Sequence, residues 1–139
     1  MSNEINIAVI GLGQIGSYLL NELNNKKKDI LNKTGKKINI VAVSAKNKNK
    51  KRSFKINKKI FYSNPLEIIK KKKIDILFEA IGLSDGISKK IVEIAIKNKI
   101  HVITPNKALI SKHGDYLSKL AEKNKVNLEF EAAVGGGIP

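Results

Sequence analysis

At 139 residues the chain has the length of one domain, large enough to bury about two thirds of the surface its unfolded form would expose. With no cysteine and only two histidines, it has no disulfide, thiolate metal site or cysteine nucleophile, and too little imidazole for a histidine-built metal site. Its net charge of +15 raises an anionic partner, and the absence of an apolar run near ~18 residues or of a cleavable leader makes a water-soluble, cytoplasmic protein the expectation.

Ile5, Ile7, Ala8, Val9 and Ile10 form an apolar run that predicts a buried parallel strand. It breaks directly into Gly11, Gly13 and Gly16, the G-x-G-x-x-G spacing of a dinucleotide fingerprint. Gly11 permits the tight turn, Gly13 leaves room for a pyrophosphate against the backbone, and Gly16 allows close packing of helix on strand. The expected cofactor-binding segment is therefore Gly11, Leu12, Gly13, Gln14, Ile15 and Gly16, with free N–H groups at the helix start facing the anion. Taken alone the fingerprint is weak, and a ligand-free glycine turn competes with it. Context favours the cofactor. A helix follows from Gln14 to about Lys33, with Ile15, Leu19 and Leu23 on one face and Gly35 as a stop signal, and then a second strand over residues 38–43.

Residues 44–59 read as a polar, lysine-rich loop with at most a short helical turn, and Ile60 and Phe61 as a brief extended piece. Pro65 suits the first turn of a helix carrying Leu66, Ile68 and Ile69. A strand is expected over residues 74–78, then a helix capped by Ser84 or Asp85 with Ile87, Ile91, Ile94 and Ala95 on one face. A further strand over residues 100–103 ends at Thr104-Pro105-Asn106-Lys107. One turn of helix and then a longer helix to about Lys123 follow, with Gly114 weakening the junction, before a last strand over residues 126–130. This alternation predicts an α/β chain over residues 1–139. The expected fold is a Rossmann-type doubly wound parallel sheet, with helices on both faces and a crevice at the carboxyl ends of the strands.

The charge is unevenly spread. Residues 30–66 hold eleven basic and no acidic side chains, +11, while the other 16 basic and 12 acidic residues leave +4. A genome-wide preference for lysine accounts for the residue type but not for the missing carboxylates, so a local anion-attracting field is expected. An NAD site of this fold usually carries Asp or Glu at the end of the second strand, to accept from the ribose 2′-OH. Here the strand ends Val43-Ser44-Ala45-Lys46. Ser44 as donor and Lys46, Lys48 or Arg52 as counter-charges suit a 2′-phosphate, so NADP is favoured, with NAD the alternative. One such contact at about 4 Å and an effective dielectric near 20 is worth up to roughly 4 kcal/mol before desolvation. As a solvated surface run the same lysines would contribute ~0–1 kcal/mol each.

GLGQIG, the VAVSAK strand end, EAIG at 79–82, HVITPNKAL at 101–109 and EAAVGGGIP at 131–139 together resemble the amino-terminal domain of homoserine dehydrogenase, in order and over essentially the whole chain. That family reduces aspartate 4-semialdehyde to homoserine with NADPH or NADH, on the way to threonine and methionine. The resemblance implies that Ile81 and Gly82 lie along the ribose and nicotinamide side of the cofactor. It also implies that Lys107 touches the cofactor and polarises the substrate carbonyl, where negative charge develops. Backbone oxygens at Glu131, Val134, Gly136 and Ile138 would hold a monovalent cation such as sodium, in a segment that also reads as a hinge. The family's catalytic and dimerisation domain is absent from these 139 residues. The chain is therefore expected to bind nucleotide without turnover, and to dimerise only with that domain.

Asp75 and Glu79, on or at the end of a buried strand, read as structural, and His101 and His113 as packing or solvent residues. A non-catalytic nucleotide sensor is a second reading. A basic nucleic-acid-binding module is a third, motivated by an isoelectric point near 10.0. It is disfavoured because none of the seven aromatics except Phe54 falls within the lysine-rich residues 44–59, which offer no base-stacking platform. Aspartate-semialdehyde dehydrogenase, the nearest enzymatic rival, needs the cysteine nucleophile that this chain lacks.

Overall fold

The computed structural model describes residues 3–45 and 57–130. Six strands, β1 (Glu4–Ile10), β2 (Lys37–Ser44), β3 (Phe61–Tyr62), β4 (Ile76–Glu79), β5 (His101–Thr104) and β6 (Leu128–Phe130), form one parallel sheet in the order β3-β2-β1-β4-β5-β6. The order reverses between β1 and β4, the switch point where a doubly wound sheet opens a crevice. The expected fold class is thus observed.

Helix α1 (Gln14–Thr34) ends where anticipated: Gly35, at φ 73°, donates its N–H to the Leu31 carbonyl at 2.8 Å. Helix α2 (Pro65–Lys71) begins with Pro65 in its first turn and is capped by Asn64, whose side chain accepts from the Leu66 amide at 3.0 Å. Helices α3 (Ile87–Lys97) and α4 (Lys107–Lys123) complete the set among the described residues. Two apolar layers sandwich the sheet. Leu20 of α1, with Leu19 and Leu23 packed alongside, covers Ile7, Val9, Ile38, Val43 and Phe78. Ile68, Ile91, Ala95, Leu109 and Leu117, from α2, α3 and α4, cover Ala8, Ile10, Ala42, Leu77 and Val102 on the other face.

The pairing of β1 with β2 slips once, because Ile7 faces Ile40 while Ala8 faces Ala42. Val41 is the extra residue, and the bulge sends Val41 and Ala42 to the same apolar layer, breaking the alternation expected of a strand. Other departures are small. Ile60 belongs to a short 3-10 turn (Lys58–Ile60) rather than to an extended piece, because Asn57 caps that turn from the Lys59 amide at 3.0 Å. Strand β4 starts at Ile76 and β6 at Leu128, each two residues later than expected. Helix α4 is continuous. Gly114 is buried inside it, and a β-carbon there would lie 3.2 Å from Ile110 Cγ2, so it relieves crowding and marks no junction.

Candidate functional site

The carboxyl ends of β1, β2 and β4 converge on the fingerprint loop. The Gly11 amide donates to the Ser44 carbonyl at 2.8 Å, and the Ala80 amide donates to the Ile10 carbonyl at 2.7 Å, so the loop leaves the sheet tied on both sides. Gly11 has φ 98°, and a β-carbon on it would press within 2.7 Å of the Ala80 carbonyl. A β-carbon on Gly16 would come 1.8 Å from the Gly11 carbonyl oxygen. Both glycines are therefore required by the chain's own packing.

Gly13 differs. Its φ of −75° suits any residue, and a β-carbon there would meet nothing among the described residues within 4 Å. It stands exposed at the opening of α1, which has no side-chain cap and no acidic residue in its first turn. The chain leaves an electropositive helix end with an empty position in front of it, which fits the pyrophosphate of a dinucleotide. Leu12 is buried beneath the turn and Ser17 anchors it by donating to the Leu12 carbonyl at 3.0 Å, while Gln14 and Ile15 open the helix. Ser44 closes β2 beside the turn and is 3% exposed. Lys46 lies outside the described residues, as do Lys48 and Arg52.

On the other side of the switch point, β4 ends in Glu79, which is fully buried. One of its carboxyl oxygens accepts the amides of Ile81 and Gly82, each at 3.0 Å, and the other accepts the Thr104 hydroxyl at 2.6 Å. The Thr104 oxygen in turn accepts the Asn106 amide at 3.0 Å. The Asn106 side chain caps α4 from the Leu109 amide at 3.0 Å and donates to the Leu83 carbonyl at 2.7 Å. Ile81 and Gly82 are thereby held at the crevice, and Lys107 begins α4 with its side chain exposed. On sequence alone Glu79 reads as structural, and Thr104 and Asn106 carry no assigned role. The signal for them was polar residues closing two apolar strands.

Neither Ser84 nor Asp85 caps α3. Gly86 occupies that position at φ 64° without a side-chain cap, because the Asp85 carboxylate is drawn across to α4, to the Lys112 ammonium and to His113 Nε2 at 2.7 Å. The Lys112 bond, and then the His113 bond, lowers the Asp85 pKa from 3.8 to about 2. His113 is thus a partner of the loop that leads into α3. His101 Nδ1 accepts from the Asn127 amide at 3.0 Å and serves packing. Asp75 is structural too, accepting the Asn6 amide at 2.7 Å. The expected cation ligands Glu131, Val134, Gly136 and Ile138 lie outside the described residues. Among the described residues no group of acidic or histidine side chains could hold a metal, and no helix is long and apolar enough to cross a membrane.

Comparison with known proteins agrees with this geometry. The family model of the homoserine dehydrogenase NAD-binding domain matches residues 11–131. The homoserine dehydrogenase of Neisseria gonorrhoeae is 36% identical over 135 residues, covering 97% of this chain and 31% of that protein, and that of Bacillus subtilis is 30% identical with the same coverage. The crystal structure of Staphylococcus aureus homoserine dehydrogenase at pH 7.5 superposes with a TM-score of 0.86 at 35% identity, over 94% of this chain and 33% of that one. The chain spans about a third of the length of these relatives.

Proposed function

Because the chain belongs to the homoserine dehydrogenase family through its NAD-binding domain, we propose that it binds NADP(H) at the Gly11–Gly16 turn and serves the reduction of aspartate 4-semialdehyde to homoserine. Gly13 carries this reading. Neither backbone strain nor an atom of the described residues requires glycine there, and the backbone is open to close approach by a pyrophosphate. The amides at the start of α1, from Gly13 through Gly16, then face the pyrophosphate, and Leu12 supports the turn from beneath. Ser44 and Lys46 receive the adenosine 2′-phosphate, which favours NADP over NAD. Ile81 and Gly82 lie along the ribose and nicotinamide.

When bound, the reduced nicotinamide supplies a hydride to the substrate carbonyl. Lys107 presents an ammonium toward the oxygen on which charge builds. Its position supports that role, since a cation at the positive end of a helix with no acidic residue in its first turn costs about 0.3–1 kcal/mol. The carbonyl oxygens of Glu131, Val134, Gly136 and Ile138 hold a monovalent cation. These 139 residues, which match about a third of the length of the relatives, supply the nucleotide-binding part of that reaction.

Titration calorimetry with NADPH and NADH tests this. NADPH is expected to bind more tightly, with a preference that shrinks in high salt and in Lys46→Ala. Absence of binding by either nucleotide would refute the proposal.

A further inference from the structure

The buried polar chain Glu79–Thr104–Asn106 does more than join two strands. At the amino ends of β4 and β5 the Asp75 amide donates to the Asn6 carbonyl at 2.8 Å and the His101 amide to the Asp75 carbonyl at 3.1 Å, and the side chains that add to these bonds, Asp75 and His101, are only part-buried. At the crevice end the fold instead buries a carboxyl, a hydroxyl and a carboxamide, at 0%, 0% and 5% exposure, which is costly unless every bond is made. The bonds made there go to loop backbone. Glu79 turns the Ile81 and Gly82 amides inward, and Gly82 at φ 90° makes that possible. Because N–H and C=O point oppositely across a trans peptide, the Ile81 carbonyl, joined to the Gly82 amide, turns away from the carboxyl. Asn106 then binds the same loop at Leu83 while capping the helix that Lys107 begins.

We propose that Glu79, Thr104 and Asn106 are positioning residues for the nicotinamide half of the cofactor. They fix the Ile81–Gly82 backbone and the first turn of α4 as one rigid edge. In a doubly wound sheet the β1–β3 half takes the adenosine side of a dinucleotide, so β4 and β5 take the other. The proposal rests on the NADP(H) reading above, and the ligands of its test separate the two.

Calorimetry on the full 139-residue chain compares NADPH with 2′-phospho-ADP-ribose, which lacks only the nicotinamide. Thr104→Val is expected to weaken NADPH by about tenfold, the worth of one or two hydrogen bonds, while affinity for the truncated ligand changes by less than about twofold. Thr104→Ser, which keeps the hydroxyl, should restore NADPH binding. Should Thr104→Val fail to fold, Glu79→Gln, which keeps the side-chain volume, is expected to show the same selective loss. Equal loss for both ligands, or no loss for either while the wild type binds both, would overturn the positioning role and leave the cofactor site standing. Wild-type protein that binds neither ligand would overturn the cofactor reading and this inference with it.

Discussion

A β-carbon placed on Gly16 would stand 1.8 Å from the carbonyl oxygen of Gly11, so helix α1 meets the end of β1 at a distance only two glycines allow. Gly16→Ala should therefore destabilise the fold by about 2 kcal/mol or more, through displacement of α1 from the sheet. Thermal or urea unfolding checks this. Unchanged stability would mean that the helix start moves freely.

Asp85 predicts a pH effect of definite sign. Its carboxyl is held at about 2 by Lys112 and His113, below its ordinary value, so its contribution is present above about pH 4 and is lost as the pH falls toward 2. Wild type should be more stable than Asp85→Asn at neutral pH, and the two acid-unfolding curves should converge near pH 2. Parallel curves would show that the ties from Asp85 to α4 do not form in solution.

Lys107 opens α4, whose first turn has no acidic residue. Replacing it with Gln should raise stability by about 0.3–1 kcal/mol at low ionic strength, and the gain should fade in salt. A loss of stability in melts of Lys107→Gln would assign the lysine a structural duty instead.

Leu77 in β4 is fully buried between the sheet and the helices on its face. Leu77→Ala should cost about 2–5 kcal/mol, read from denaturant unfolding. A cost under about 1 kcal/mol would argue against a packed central strand.

What could be read in advance was local in the chain. The apolar run into Gly11, Gly13 and Gly16, the stop at Gly35 and the Pro65 helix start all lie within a few residues of their causes, and they emerge as β1, α1 and α2. The missed features depend on distant partners. Asp85 looks like a helix cap until Lys112 and His113, 27 and 28 residues on, take its carboxylate. Glu79 and Thr104 are 25 residues apart, and only the adjacency of β4 and β5 makes them one network. The bulge at Val41 likewise follows from the pairing of β2 with β1, whereas Gly114 meets Ile110 only four residues earlier in the same helix. Ser44 is legible from the end of its strand, whereas Ile81, Gly82 and Lys107 rest on the family resemblance; all four lie at or just past the carboxyl ends of strands.

The most direct test of the account is Gly13→Ala, followed by melting temperature and by NADPH titration. Since a β-carbon at Gly13 meets no atom of the described residues within 4 Å, the fold should hold within about 0.5 kcal/mol, while NADPH affinity falls by about tenfold or more as the methyl obstructs the pyrophosphate. Undiminished NADPH binding by the variant would contradict the claim that this turn is the cofactor's seat.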